Sequence, residues 1–173
     1  MTKKRIKVEI FPLNQTGGDA DQITALQNGS QEMNYTAMTI LAPVCSPMYV
    51  YSLPYLFTDP TKVEATIKAL WDKNNDWLVK KANIRLIGHA VAGFRQLTTS
   101  SKWKVTDLAS AKGMKIRIPP NKISEATFRK LGLVPVALPF PETFSALQQG
   151  VADAQENCLV AVRSDHFTKC KLT

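Results

Sequence analysis

The 173-residue chain contains no apolar run approaching the roughly eighteen residues of a membrane span, so no transmembrane helix is expected from it. Cysteine is scarce. Cys45, Cys158 and Cys170 show no C-x-x-C spacing, and His89 and His166 stand at no ligand spacing to them, which argues against a zinc site. The segment between Cys158 and Cys170 reads largely as helix, which holds the two too far apart to bridge; all three thiols are expected free. Several catalytic signatures are missing as well. There is no Walker A motif, no G-x-G-x-x-G fingerprint and no G-x-S-x-G elbow. Ser101-x-x-Lys104 matches S-x-x-K by letter only, because its S-D-N and K-T-G companions are absent. Asp153 and Glu156 form a charged edge rather than an acid–base pair. No enzyme, metal or cofactor is expected. Nor does any apolar stretch or cleavage site follow the Met-Thr-Lys-Lys-Arg start, so that start does not read as a signal peptide.

What is present is ordinary globular material. Apolar residues make up 45% of the chain, enough for a genuine core and too much for disorder. The net charge of +8 admits nucleic acid, an anionic surface or acidic ligands as partners. The basic residues are dispersed, however, and the clusters Lys3-Lys4-Arg5, Lys80-Lys81 and Arg129-Lys130 carry no interleaved aromatics. They read as solvated surface, and no nucleic-acid partner is expected.

The most informative stretch is 114–157. Met114, Ile116 and Ile118 alternate with Lys115 and Arg117, as in a half-buried strand with a cationic face. Pro119-Pro120 ends that strand. Ser124 is a plausible cap for a helix ending at Gly132, and Val-rich 134–138 predicts a second strand. Pro141 suits the first position of another helix that turns Phe140, Phe144 and Leu147 to one side and closes at Gly150. The unit is strand–helix–strand–helix, with its two strands parallel.

Upstream, Ile6, Val8 and Ile10 alternate with Lys7 and Glu9 and predict a first strand. A short helix opens at Asp19 or Asp21, turns Ile23 and Leu26 inward and ends at Gly29. A second strand is predicted over 33–38. The apolar, proline-broken stretch 40–58 fits no period and reads as a packed irregular wall of the core. Asp59-Pro60 starts the clearest helix, cap followed by N1 proline, with Val63, Ile67, Leu70 and Trp71 inward, and a further turn follows near Trp77 and Leu78. Residues 85–90 read as a strand, 91–101 as a loop containing Arg95, and Thr106 as the cap of a short helical turn. Residues 153–159 read as a strand or hinge and 160–169 as a helix.

K-I-R-I-P-P, F-x-K-L-G at 128–132, P-F-P-E-T-F-S-A-L-Q-Q-G and D-A-Q-E-N, in that order and spacing, resemble the solute-binding proteins of TRAP transporters, the DctP-type family. Q-T-G-G-D, L-Q-N-G-S-Q-E-M and L-P-Y-L-F extend the resemblance over nearly the whole chain. It implies an α/β fold of the periplasmic-binding-protein kind, type II-like and two-lobed, incomplete in this chain. By that reading residues 1–90 belong to a partial first lobe. Residues 91–157 form the hinge crossing and second-lobe units, and 158–173 begin a carboxyl-terminal helix. The resemblance implies a periplasmic receptor that captures a small carboxylate for a membrane permease. No catalysis goes with it.

Arg117 is the candidate anchor, since its planar fork matches a carboxylate and the family's K-x-R-x-P arginine plays that part. Arg95 would be a second cationic contact, Asn157 an amide donor to the ligand and Phe140 an apolar wall, with Thr36 and Thr39 weaker candidates. Ala154 stands where the family usually has glycine, Cys158 where proline usually follows Q-E-N, and Pro120 where some members use a polar contact. The rival reading is a cytoplasmic effector-sensing module on the same fold, suggested by unpaired cysteines and the lack of a recognisable leader. The family's topology also places a strand earlier than Met1, between the segments 7–11 and 33–37. Its slot would expose their edges, so self-association of this chain is expected.

Overall fold

The computed structural model describes residues 6–12 and 14–164. Among these residues six α-helices and four strands follow in chain order: α1 Asp19–Asn28, α2 Pro60–Ala69, α3 Trp71–Ala82, β1 Arg95–Thr99, β2 Lys115–Ile118, α4 Lys122–Lys130, β3 Val134–Ala137, α5 Thr143–Gln148, β4 Ala154–Cys158 and α6 Leu159–Ser164. The strands make one sheet in the order β1-β4-β2-β3. β2 runs parallel to both β3 and β4, and β1 runs antiparallel to β4. The predicted strand–helix–strand unit is therefore present with its parallel pairing, and β4 lies between β2 and β1.

Local chemistry explains the helix ends. Asp59 caps α2 by accepting from the Thr61 amide at 2.9 Å, with Pro60 at the first helical position. Gly29 closes α1 at φ 75°, a conformation that a side chain would strain. Gly18 caps the start of that helix, and its amide donates to Asp21 Oδ2 at 3.0 Å. The cap of α4 is Asn121, not Ser124: Asn121 Oδ1 accepts from the Ile123 and Ser124 amides at 3.0 and 3.2 Å. An asparagine just after Pro119-Pro120 reaches both amides from an extended backbone, and Ser124 already sits inside the first turn. At 106–110 the cap is Asp107, whose Oδ1 accepts from the Ser110 amide at 2.8 Å, rather than Thr106. Pro141 lies within a 3₁₀ turn, Phe140–Glu142, and α5 starts two residues later at Thr143.

Packing divides into three clusters. Ile23, Leu41, Cys45, Met48, Leu78 and Ala82 form one; residues 40–51 of the expected wall pack there, largely as the 3₁₀ segments Met38–Leu41 and Ser46–Ser52, whereas Leu53, Tyr55 and Leu56 are exposed. Ala111, Met114, Ile116, Ile118, Leu133 and Ala154 form the second, beneath the sheet. Leu147, Ala152 and Val162 form the third, with Phe140 and Phe144 against it. Ala154 is fully buried between its partners Thr99 and Ile116, so the extra methyl relative to glycine is accommodated in the strand.

Three predicted strands are not formed. Residues 7–11 and 33–37 belong to no strand among the described residues, and Met38 instead begins a 3₁₀ turn, Met38–Leu41. Residues 85–90 likewise pair with no strand. There the Leu86 amide donates to the Asn75 side chain at 2.8 Å. Alternation marks a strand only where a second strand supplies the ladder, and no described segment pairs with 7–11, 33–37 or 85–90 as a strand. Conversely, the predicted 91–101 loop contains β1, because residues 95–99 pair along all five positions of β4. Cys45 and Cys158 are free thiols; Cys170, His166 and the remainder of the predicted 160–169 helix lie outside the described residues. No helix among the described residues is long and apolar enough to cross a membrane.

Asn121 also ties the start of α4 to the 39–52 segment. Its Nδ2 donates to the Thr39 carbonyl at 3.2 Å and to Ser52 Oγ at 2.9 Å, and the residue is buried. The Lys122 ammonium lies 4.6 Å from the Tyr49 ring centroid beside it. We predict that Asn121→Ala costs about 2–3 kcal/mol, roughly 1 for the cap and the rest for buried acceptors left unpaired. Asn121→Ser, which keeps the capping oxygen, should fall between the two in urea denaturation. Equal stability for all three proteins would show that these bonds contribute nothing.

Candidate functional site

β2 carries Arg117 into the middle of the sheet. With β3 on one side and β4 on the other, the strand has no open edge at this position, and Arg117 pairs with Val136 and Gln155. The expected wet, cationic face therefore divides: Lys115 is exposed, whereas Arg117 is 1% exposed. Its Nε and Nη2 both donate to the Leu138 carbonyl, at 3.0 and 2.6 Å. Its guanidinium carbon stands 5.7 Å from the centroid of the Phe140 ring. Among the described residues no carboxylate lies within 4.0 Å of the guanidinium, and Nη1 donates to none of them.

That is a charge buried without a contact counter-ion. Desolvation pushes the Arg117 pKa down to about 10, and repulsion from Arg95 acts in the same direction. Glu156, Asp19 and Glu142 pull it back from a greater distance. The group still stays protonated at neutral pH. Its fork keeps donors in reserve, so it can take up an anion that reaches it.

The other expected residues are placed unequally. Phe140 opens the 3₁₀ turn before α5, so it both packs on the third cluster and floors Arg117. Asn157 is buried in β4; its Oδ1 accepts from the Cys158 amide at 3.0 Å, and its Nδ2 has no partner among the described residues. By strand register it belongs with Gln155 and Arg117. Arg95 begins β1 and is held by Glu156. Its Nε and Nη2 clasp the Glu156 carboxylate, and Nη2 also donates to the Glu156 carbonyl at 2.7 Å. It is thus a strand residue with a partner, near enough to Arg117 to repel it, but not a free loop cation. Thr36 is half-buried in an irregular segment, and Thr39 offers its carbonyl to Asn121 instead.

Two neighbours escaped the sequence reading. Gln155 is fully buried opposite Arg117; its Nε2 donates to Thr98 Oγ1 at 2.6 Å, and its Oε1 has no partner. It stood inside D-A-Q-E-N, but only the β2–β4 register shows what it faces. Asp19 read as a helix opener. The start of α1 approaches the turn after β3, since a Cβ built on Gly18 would lie 3.9 Å from that of Pro139. Burial raises the Asp19 pKa above 3.8, and the Arg117 charge lowers it in part. The folded state therefore holds the Asp19 proton to a higher pH than the unfolded chain does. This group's contribution to stability is full below pH 3.8 and falls as pH rises through the folded value. We predict that Arg117→Met moves the Asp19 titration, followed by carboxyl carbon NMR, to higher pH still. An unchanged midpoint would show that the two charges do not sense each other.

Comparison with known proteins gives this geometry a context. The model of the bacterial extracellular solute-binding protein family 7, DctP, matches residues 1–171. The C4-dicarboxylate-binding periplasmic protein DctP of Rhodobacter capsulatus is 31% identical over 90% of this chain and 46% of its own length. A TRAP periplasmic solute-binding protein from Sulfurospirillum deleyianum, solved with bound succinate, superposes with TM-score 0.91 at 28% identity, covering 99% of this chain and 56% of that one. Another, from a Polaromonas species and bound to D-erythronate, gives TM-score 0.90 at 30% identity, covering 99% and 57%. The fold is the α/β two-lobe fold of these proteins, and the chain spans about half the length of the curated relatives it matches. With the family pattern running through nearly every residue, the chain belongs to the DctP family of bacterial extracellular solute-binding proteins.

Proposed function

We propose that the chain supplies the anionic-ligand half of a TRAP-type solute-binding protein, capturing a small organic acid outside the cytoplasm for a membrane permease. The observation that carries this reading is Arg117: a buried guanidinium with two bonds to one carbonyl, no carboxylate in contact among the described residues and donors to spare. Holding that charge in a low dielectric is costly unless an anion arrives to pair with it. Asn157 Nδ2 would add a neutral donor, Phe140 would supply the apolar floor, and Arg95 would add positive potential while Glu156 holds it in place. Residues 1–90 would contribute to one lobe and 91–157 to the crossing and the other, with closure driven by a ligand that bridges both. Relatives bound to succinate and D-erythronate support a carboxylate as the common element. The family is one of binding proteins, which accords with the absence of a catalytic motif from the sequence.

The test is calorimetric titration of the full gene product with succinate, D-erythronate and related acids. For whichever acid binds, Arg117→Ala should cost about 2–5 kcal/mol, roughly a thirtyfold to several-thousandfold loss of affinity. Arg117→Lys should recover little, since an ammonium keeps the charge and loses the fork. Arg129→Ala should change nothing, because that side chain is exposed on α4 and bonded to Glu125. Wild-type affinity in Arg117→Lys would refute a bidentate anchor.

A further inference from the structure

The charged groups coupled to the Arg117 guanidinium are Arg95, Glu156, Asp19 and Glu142. Arg95 is the one cation among them, and the Glu156 carboxylate already occupies it through both oxygens. None of these groups is a cation left over for a second ligand carboxylate. What stands over is acceptors. The Asp19 carboxylate is half-buried at the start of α1, beside the Pro139 turn. Among the described residues no cation lies within 4.0 Å of it. The Gly18 amide donates to Asp21, and Asp19 itself takes no hydrogen bond among the described residues. Asp19 and Arg117 nevertheless lie close enough to sense each other without touching. Gln155 Oε1 is a second acceptor without a donor, on the strand position registered with Arg117.

These leftovers discriminate between ligand groups. A carboxylate only accepts hydrogen bonds, whereas a hydroxyl both donates and accepts. A second carboxylate pointed toward Asp19 would meet a like charge and another acceptor, with nothing to replace the water it gives up. A hydroxyl in the same place donates to Asp19 in a charge-assisted bond, the stronger kind. Building on the reading of Arg117 as the carboxylate anchor, we infer that Asp19 accepts a hydroxyl of the bound ligand and so makes this site select hydroxylated monocarboxylates over dicarboxylates. The acid group goes to the fork of β2, and the hydroxylated end goes to the start of α1.

The experiment is calorimetric titration of the full gene product at neutral pH with two matched pairs, D-erythronate against meso-tartrate and galactonate against galactarate. Within each pair the acids differ only in the far end, a hydroxymethyl group in the first and a carboxylate in the second. Wild type should bind the monocarboxylate of a pair about tenfold or more tighter than its dicarboxylate. Asp19→Asn, nearly isosteric and checked for folding by circular dichroism, should weaken the monocarboxylate about tenfold and strengthen the dicarboxylate. Arg117→Ala should weaken both. A wild type that prefers the dicarboxylates overturns the selectivity, and leaves the anchor standing if Arg117→Ala still weakens both. So does an Asp19→Asn protein that binds both acids as wild type does, or loses affinity for both in equal proportion, as a merely structural role would dictate. Binding indifferent to Arg117→Ala, or no binding of any of the four acids, overturns the anchor and the selectivity together.

Discussion

The charge on Arg117 has to be tolerated inside the sheet, and much of the surrounding structure bears on how. A guanidinium at 1% exposure loses most of its hydration, and its two bonds to the Leu138 carbonyl return only a part of it. Those bonds require the chain to leave β3 at a fixed angle, which Pro139 and the 3₁₀ turn from Phe140 to Glu142 enforce. The same turn sets the Phe140 ring against the cation. Arg117 is therefore pre-oriented before any ligand is present, and the conformational cost of fixing a long side chain falls on folding rather than on binding.

β4 is the other half of that arrangement. Lying between β1 and β2, it presents Gln155 to Arg117 and positions Asn157 two residues on, while its Glu156 occupies Arg95. Charge balance follows from this division of labour. Arg95 is neutralised at contact distance by Glu156. Among the described residues Arg117 is balanced from afar by Asp19, Glu142 and Glu156, which leaves a local excess of positive potential at the buried fork. An anion is the species that such an imbalance selects.

The amino-terminal part is held differently. Among the described residues its core rests on 3₁₀ turns and helices around Met48 and Leu78, not on a sheet. The link to the Arg117 sheet runs through Asn121, which caps α4 and bonds to Thr39 and Ser52 at once. One side chain thus couples the entry of α4, directly after β2, to the wall of the other core. The start of α1 approaches the same region near Pro139.

Features governed by short-range chemistry were legible in the residues alone. The Asp59-Pro60 helix start, the Gly29 stop, the parallel 114–137 unit and the identity of Arg117, Asn157 and Phe140 as candidates needed only caps, periodicity and a motif in order. Features that depend on a distant partner were not. β1 looked like a loop, because a strand is defined by who completes its hydrogen bonds and the partner of β1 lies some sixty residues away in β4. The alternation that marked Arg117 as solvent-facing could not reveal that β3 and β4 enclose it, nor that Gln155 and Asp19 are its neighbours. Residue type and spacing determined which groups could bind an anion; burial and electrostatics, set by contacts far apart in the chain, decided which cation has no carboxylate in contact among the described residues.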